Sequence, residues 1–330
     1  MDLAAPVSQY TEGQLLGLIT PLLPTGPHTT LGPGDDSAEL DLLGSRLLIS
    51  CDVLVEGVHF RTDWSTAQQV GARAVAQNLA DIAAMGAAPS AVVVGLVLPK
   101  ETETRWVVDF ARGLREACSA HNVGVVGGDL TSGPVLMVSV TVFGPTPPTG
   151  AVLRSGAQPG DVVAYAGNRG HGAAGFELLS SGNSHLAPDL VDNFLVPKPP
   201  LHAGPQAAAA GATALMDVSD GLIIDAARLA KASGVQLKLT DPGQAFPEEL
   251  ALLTATAAEL GAADPTARAR QWLLSGGEDH GLLATFPPKA DLPPQFRAIG
   301  VVGQIRENQP EPVLVDGQVP RVTGWDHFRQ

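Results

Sequence analysis

The sequence has little of what several large functional classes require. Its 330 residues include only two cysteines, Cys51 and Cys118, which excludes a disulfide framework and a cysteine-rich zinc site. Lysine and arginine together number 20 against 34 acidic residues, so the formal net charge is −14, and no basic cluster occurs. Nucleic-acid binding depends on positive charge, and the sequence therefore excludes nucleic acid as a partner.

Long apolar segments and export signals are lacking as well. The most apolar run, Ala91–Leu98, has the length of a strand, whereas about 20 residues are needed to span a bilayer. The first ten residues do not show the basic-then-apolar order of a signal peptide. We therefore expect a cytoplasmic protein without a membrane partner. Hydrophobic residues make up 45% of the chain and charged residues 16%, which is typical of globular proteins.

The common motifs for nucleotide binding and nucleophilic catalysis are absent. The sequence contains neither the Gly-Lys-Ser/Thr ending of a P-loop nor the His-Arg-Asp loop of a protein kinase. No Gly-x-Ser-x-Gly nucleophile elbow occurs either. The glycine-rich run at 170–175 has two equally good explanations, which are phosphate binding and close packing at the start of a helix. A phosphoryl-transfer enzyme with this sequence would therefore have an unusual fold.

Apolar periodicity predicts alternating strands and helices in both halves of the chain. The Pro- and Gly-rich segment 144–150 is the predicted linker, which gives domains at 1–148 and 149–330. The predicted fold class is α/β (α+β) with two domains. The predicted strands are 47–50, 91–98, 123–126, 135–143, 162–166, 213–216, 236–239, 282–286, 298–302 and 312–315, and the predicted helices are 65–87, 102–120, 173–179, 202–210 and 222–232.

The positions of the aspartates indicate a chemistry. Asp52, Asp129 and Asp217 each follow an apolar run, and we interpret all three as strand-end residues, where α/β folds collect ligand-binding groups. Asp81 has apolar neighbours on both sides in an alanine-rich helix, and a buried carboxylate must be paired or bound to metal. The chain has only five lysines to neutralise such a cluster. Several Mg²⁺ ions and a phosphorylated ligand are therefore the expected partners.

Six short motifs occur in order along the chain: Gly-Asp-Asp-Ser-Ala at 34–38, Val-Glu-Gly-Val-His-Phe at 55–60, Asn-Leu-Ala-Asp-Ile-Ala-Ala-Met-Gly-Ala at 78–87, Gly-Gly-Asp-Leu-Thr at 127–131, Asp-Val-Ser-Asp-Gly-Leu at 217–222 and Ser-Gly-Gly-Glu-Asp at 275–279. Together they resemble the motifs of the thiamine-monophosphate kinase family, and the resemblance extends from Gly32 to Phe328. That family belongs to a superfamily with aminoimidazole ribonucleotide synthetase, selenophosphate synthetase and a hydrogenase-maturation protein. The resemblance implies transfer of the γ-phosphate of ATP to thiamine monophosphate.

The resemblance implies three groups of site residues. It assigns no catalytic residue, because the acceptor is already an ionised phosphate oxygen and direct in-line transfer needs positioning and charge neutralisation. It leaves open whether K⁺ is required beside Mg²⁺. The implied metal ligands are Asp36, Ser50, Cys51, Asp52, Asp81, Asp129, Asp217 and Asp220; the implied ATP contacts are Gly128, Asp129, Arg154 and Ser219; and the implied thiamine-phosphate contacts are His59, Glu278 and Trp325.

The resemblance also implies an assembly. In it, the N-terminal α/β domain binds metal and ATP and forms a homodimer through its sheet. The C-terminal α+β domain completes an active-site cleft between the two domains.

Three positions depart from the family pattern. Cys51 stands where the family has Thr, which is harmless if this position binds metal through its carbonyl oxygen, whereas a neutral thiol is a poor Mg²⁺ ligand. His280-Gly281 replaces a Tyr or His followed by an acidic residue, and Trp325 replaces a Tyr while keeping an aromatic ring for contact with the cationic thiazolium.

Simpler explanations exist for single residues, and other functions exist for the whole. Asp35 fits a turn former, Arg154 a surface salt bridge, Glu278 a turn cap and Trp325 a core anchor. An aminoimidazole ribonucleotide synthetase-like enzyme is one alternative, although its Gly-Thr-Lys segment is absent. A non-catalytic module that binds metal or nucleotide is the other, and turnover distinguishes it.

Overall fold

The computed structural model describes residues 2–31, 39–42, 44–305 and 309–320. The chain forms two compact units: Met1–Ile82 with Ala88–Pro148, and Ala83–Ala87 with Thr149–Gln330. None of the helices in the described ranges is long and apolar enough to cross a membrane. The combination of helices and sheets in both units confirms the predicted fold class.

Within its described residues, the first unit holds a four-stranded sheet and three α-helices. The strand order is β3-β6-β4-β5, in which only β4 and β5 run parallel. A separate two-stranded sheet, β1-β2, precedes it. The elements are α1 (Glu12–Ile19), β1 (Thr29–Leu31), β2 (Glu39–Leu40), β3 (Leu47–Val55), α2 (Ala67–Ala83), β4 (Ala91–Leu98), α3 (Thr104–Ser119), β5 (Gly124–Ser132) and β6 (Met137–Pro145).

The two faces of this four-stranded sheet differ. One face is buried against helices and carries alternate valines such as Val94 and Val140. Small residues let α2 and α3 pack closely there, since a Cβ on Gly113 would lie 2.0 Å from the carbonyl oxygen of Gln68. On the other face, which we call the open face, Ile49 of β3 is 60% exposed. Its neighbours Leu47 and Val53 are exposed too, so this face keeps an apolar surface in the single chain.

The second unit holds a six-stranded sheet with the order β12-β9-β11-β7-β10-β8. All neighbours are antiparallel except β12 and β9, and every residue of β10 is buried. The elements are β7 (Val162–Ala166), α4 (His171–Ser180), α5 (Pro188–Leu195), α6 (Ala203–Ala209), β8 (Ala214–Val218), α7 (Leu222–Ser233), β9 (Gln236–Leu239), α8 (Pro242–Ala245), α9 (Pro247–Glu259), α10 (Pro265–Ser275), β10 (Gly281–Phe286), β11 (Arg297–Gly303) and β12 (Val313–Val315).

The strand-end interpretation of the aspartates is wrong for two of the three. Asp52 lies inside β3, which continues to Val55, and Asp129 lies inside β5. The pairing of β3 with β6 continues through Val55, and the pairing of β5 with β4 continues through Ser132, so a single aspartate does not end either strand. Asp217 is the penultimate residue of β8, as expected.

Candidate functional site

The first group of predicted site residues joins β3 to α2. Ser50 and Asp52 lie opposite Val142 and Val140 in the pairing with β6, so their side chains face the helix-covered side of the sheet. The hydroxyl of Ser50 donates a hydrogen bond to Asp81 Oδ2 at 2.5 Å. Two oxygen-bearing side chains of the predicted metal set are therefore in direct contact.

Asn78, which the sequence analysis did not assign to the site, fixes this contact. Its side chain is fully buried, and its Oδ1 accepts the main-chain N–H of Asp52 at 3.0 Å. Its Nδ2 donates to the carbonyl of Ala74 one turn earlier, at 2.9 Å. Asn78 is the first residue of the motif at 78–87. The signal in the sequence was this amide side chain, three residues before Asp81.

Cys51 and Asp129 lie elsewhere in the same unit. The Cys51 Sγ lies 3.5 Å from the Ser139 hydroxyl on the open face of the sheet. Asp129 is exposed and pairs with Gly95, which places it on the open face too, but on the opposite edge strand. Three strand spacings, about 14 Å, separate the two edges. The structure therefore does not bring Asp129 together with Asp52 or Asp81 within one chain.

Gly128 has a structural role of its own. A Cβ there would lie 2.1 Å from the carbonyl oxygen of Val94 on β4, so only glycine permits this approach of the strands. This requirement alone would explain the residue, and it is also compatible with a main-chain contact to a nucleotide.

His59 lies in the turn that follows β3. Its Nδ1 accepts the main-chain N–H of Val55 at 3.0 Å. An acceptor at Nδ1 places the proton of the neutral ring on Nε2. In its neutral form, His59 therefore carries its side-chain N–H donor on Nε2.

The second unit contributes an acidic group that surrounds one arginine. Arg228 Nη1 lies 2.5 Å from Asp220 Oδ2 and 2.6 Å from Asp225 Oδ1. Burial, followed by the neighbouring charge of Asp217, raises the pKa of Asp225 to about 6, although Arg228 opposes the shift. Neither Asp225 nor Arg228 was predicted from the sequence. The signal was an acidic residue in the first, apolar turn of α7.

Gly221 opens α7 beside this group with a φ of +124°. A Cβ there would lie 2.6 Å from the carbonyl oxygen of Ser275, so the turn from Asp220 into α7 requires glycine.

Glu278 and Ser219 are neighbours in the second unit. The main-chain N–H of Glu278 donates to the carbonyl of Ser219 at 2.8 Å. The predicted acceptor contact and the predicted ATP contact therefore lie side by side.

The departure from the family pattern at Gly281 has a structural explanation, because a Cβ there would lie 2.1 Å from the Tyr165 hydroxyl. No acidic side chain fits at that position.

Three further predicted site residues take no part in the contacts described above. Asp36 and Trp325 lie outside the described residues. Arg154 is exposed, and its carbonyl accepts a hydrogen bond from the Ser233 hydroxyl at 2.9 Å. In the described part of the chain, no three His, Cys, Asp or Glu side chains are grouped closely enough to hold a metal ion.

Comparison with known families identifies the class of this two-unit fold. The family model for the N-terminal domain of AIR synthase related proteins matches residues 34–146, and the model for the C-terminal domain matches residues 158–290. A hydrogenase maturation protein, HypE in complex with ATP, shares the fold with a TM-score of 0.71 at 16% identity, covering 97% of this chain and 96% of that one.

Closer relatives narrow the class. The thiamine-monophosphate kinase of Mycobacterium tuberculosis is 44% identical over 299 residues, covering 90% of this chain and 86% of that protein. The Escherichia coli enzyme of the same name is 34% identical, with 90% and 92% covered. A solved structure described as AaThiL complexed with AMPPCP and TMP matches with a TM-score of 0.75 and 32% identity, covering 89% and 91%. The chain belongs to the thiamine-monophosphate kinase family.

Proposed function

We propose that this chain is an enzyme that transfers the γ-phosphate of ATP to thiamine monophosphate, giving thiamine diphosphate and ADP. The observation that carries the proposal is its similarity, over 89% of the chain, to a structure that holds AMPPCP and TMP. Relatives at 44% and 34% identity bear the name of this activity. The transfer is direct and in line, and inversion at a chiral γ-phosphorus would support it.

The residues of the chain supply binding and orientation. His59 offers its Nε2 proton to the acceptor phosphate, and Glu278 contacts the acceptor beside Ser219, which contacts ATP. Gly128, Asp129 and Arg154 complete the proposed ATP contacts. Trp325 completes the proposed thiamine-phosphate contacts. The acceptor oxygen is ionised near neutral pH, so no side chain is needed as a general base.

Mg²⁺ fits the residues that are present. Ser50 with Asp81, and Asp217 with Asp220, offer hard oxygen donors, and Mg²⁺ is commonly held by one or two carboxylates together with substrate phosphates. Asp36, Asp52 and Asp129 complete the proposed set, and Cys51 would contribute its carbonyl oxygen. Bound Mg²⁺ would neutralise the charge of the two polyanionic substrates.

The test incubates the protein with ATP and Mg²⁺, in one tube with thiamine monophosphate and in another with free thiamine. Chromatography should show thiamine diphosphate in the first tube only, matched by ADP. A third tube with the purine precursor of aminoimidazole ribonucleotide synthetase tests the alternative enzyme. If no tube consumes ATP, the non-catalytic module becomes the better interpretation. Adding or omitting K⁺ in the first tube decides whether that ion is required.

We also propose that the protein forms a homodimer through the open face of the first unit's sheet. Ile49 leaves an apolar surface there, and Cys51 and Asp129 lie on the same face at opposite edges. A twofold axis along the strands would bring β3 of one protomer over β5 of its partner. Cys51 of one protomer would then approach Asp129 of the partner subunit, although these two members of the proposed metal set are separate in one chain.

The proposed location is the cytoplasm. The reaction consumes ATP, and both cysteines are free thiols, as is usual in reducing compartments.

A further inference from the structure

A buried ion pair includes one residue of the loop 276–280, the loop that also carries Glu278. Arg169 Nη1 lies 2.9 Å from Asp279 Oδ2, and both side chains are 0% exposed. The two residues are 110 positions apart in the chain and were not assigned any role above. Apolar side chains of the same volume often stabilise a fold as well as a buried ion pair does. Stability alone is therefore a weak explanation for this one.

Each partner of the pair holds one helix end. Arg169 Nε donates to the carbonyl of Leu273 at 2.7 Å, and Nη2 donates to the carbonyl of Gly276, both at the C-terminal end of α10. Asp279 accepts the main-chain N–H groups of Gly170 and Gly172, at 2.6 and 2.7 Å, at the N-terminus of α4. The charges complement both helix dipoles, so the pair joins α4, α10 and the loop into one arrangement.

The loop above the pair has an unfavourable backbone conformation. Glu278 and His280, on either side of Asp279, have φ angles of +69° and +50°, which non-glycine residues rarely adopt. The loop also packs tightly against α4, because a Cβ on Gly172 would lie 2.6 Å from the carbonyl oxygen of Gly277. Such a conformation persists only where the surroundings enforce it.

We propose that Arg169 and Asp279 are positioning residues for the phosphate acceptor. Their ion pair holds the loop so that Glu278 stays beside Ser219, with its carboxylate directed at the thiamine monophosphate site. The inference rests on the proposed function, in which Glu278 contacts that substrate. Neither Arg169 nor Asp279 touches the substrate itself.

The test compares Arg169→Lys with a matched control, Arg268→Lys. Lysine keeps the positive charge of residue 169 but loses the planar fork that reaches Asp279 and α10 together. We expect the KM for thiamine monophosphate to rise about tenfold or more, with smaller changes in kcat and in the KM for ATP. Arg268 also joins α10 to α4, through Glu177, but its partners lie outside the loop. Arg268→Lys should leave all three constants nearly unchanged.

A second variant and a second measurement guard against misfolding. Gly172→Ala keeps both charged side chains of the ion pair but places a Cβ against Gly277 and Glu278, and it should raise the same KM. Hydrogen exchange at residues 276–280 should be faster in both variants, because the Glu278 amide is bonded to Ser219. A lower melting temperature with an unchanged KM for thiamine monophosphate would overturn the inference.

The failure of the proposed function is distinguishable from the failure of this inference. If the wild-type protein does not phosphorylate thiamine monophosphate, the proposed function is wrong. The hydrogen exchange of the loop then decides the remaining part. Unchanged exchange in Arg169→Lys and Gly172→Ala would show that the pair does not hold Glu278.

Discussion

At the scale of single residues, the acidic groups of the second unit depend on their surroundings for their charge. Asp225 is almost fully buried, and its carboxylate faces Asp217 and Asp220 as well as Arg228. The same residue type is exposed at Asp129. Desolvation disfavours the ionised form of the buried Asp225 carboxyl. Asp225, which was not predicted from the sequence, therefore differs in burial from Asp129, which was.

The raised pKa of Asp225 predicts a pH-dependent stability of the metal-free protein. The folded state holds this proton up to about pH 6, whereas the unfolded state loses it near 3.8. Between these values the folded state binds more protons, so the free energy of unfolding falls as pH rises, by on the order of 3 kcal/mol from this group. Thermal unfolding in EDTA measures it. In Asp225→Asn this component should vanish, and an unchanged slope would contradict the assignment.

Asp220→Asn should lower turnover with the fold intact. The substitution removes a negative charge from the proposed metal set and weakens a partly exposed ion pair to Arg228, which adds little stability. We expect kcat to fall about a hundredfold, with the melting temperature nearly unchanged. Asp109→Asn, which removes the partner of Arg112 on α3, is the matched control and should keep full activity. Near-normal turnover of Asp220→Asn would refute its metal role.

At the scale of elements, the sequence predicted strands better than helices. The strands β4 and β7 have the predicted bounds, because their apolar runs are short and clearly delimited. Four helices of the second unit, α5, α8, α9 and α10, were not predicted. Each begins with proline at its first position, where proline favours a helix start. These prolines were visible in the sequence, but a prediction from apolar periodicity alone does not use them.

The start of α10 gives a prediction for this scale. The side chain of Asp264 accepts the main-chain N–H of Ala267 at 2.9 Å and caps the helix. Asp264→Ala should destabilise the protein by about 1 kcal/mol and lower the melting temperature by about 2–4 °C. Asp264→Asn keeps an acceptor oxygen and should lose much less. Equal losses in the two variants would show that charge, and not the cap, stabilises this helix end.

At the scale of the whole molecule, the motifs predict which residues belong to the site but not how those residues are arranged in space. The motifs named Asp52, Asp81 and Asp129, yet only pairing across the sheet shows that Asp129 is on the far edge. The contact between Arg169 and Asp279 joins distant segments and has no local pattern. Tertiary pairing of this kind is not encoded in periodicity or motif spacing, and a single sequence does not reveal it.

The proposed homodimer predicts how the two cysteines react. Cys118 is fully buried, and burial raises the pKa of its thiol to about 12, so it should stay unmodified in the folded protein. Cys51 is exposed in the single chain but lies on the open face that a second copy would cover. Its alkylation should therefore be slow at high protein concentration and faster on dilution. Mass spectrometry of the alkylated protein measures both sites.

Ile49→Lys separates this explanation from simple burial of the thiol. Ile49 is 60% exposed in the single chain, so a lysine there should leave the fold intact while placing a charge in the dimer contact. Light scattering should show a monomer, and Cys51 should react quickly at every concentration while Cys118 stays protected. If the wild-type protein is a dimer in which Cys51 reacts as fast as in Ile49→Lys, the contact lies on another surface. Dimerisation through the open face would then not explain how Asp129 comes close to the remaining metal ligands.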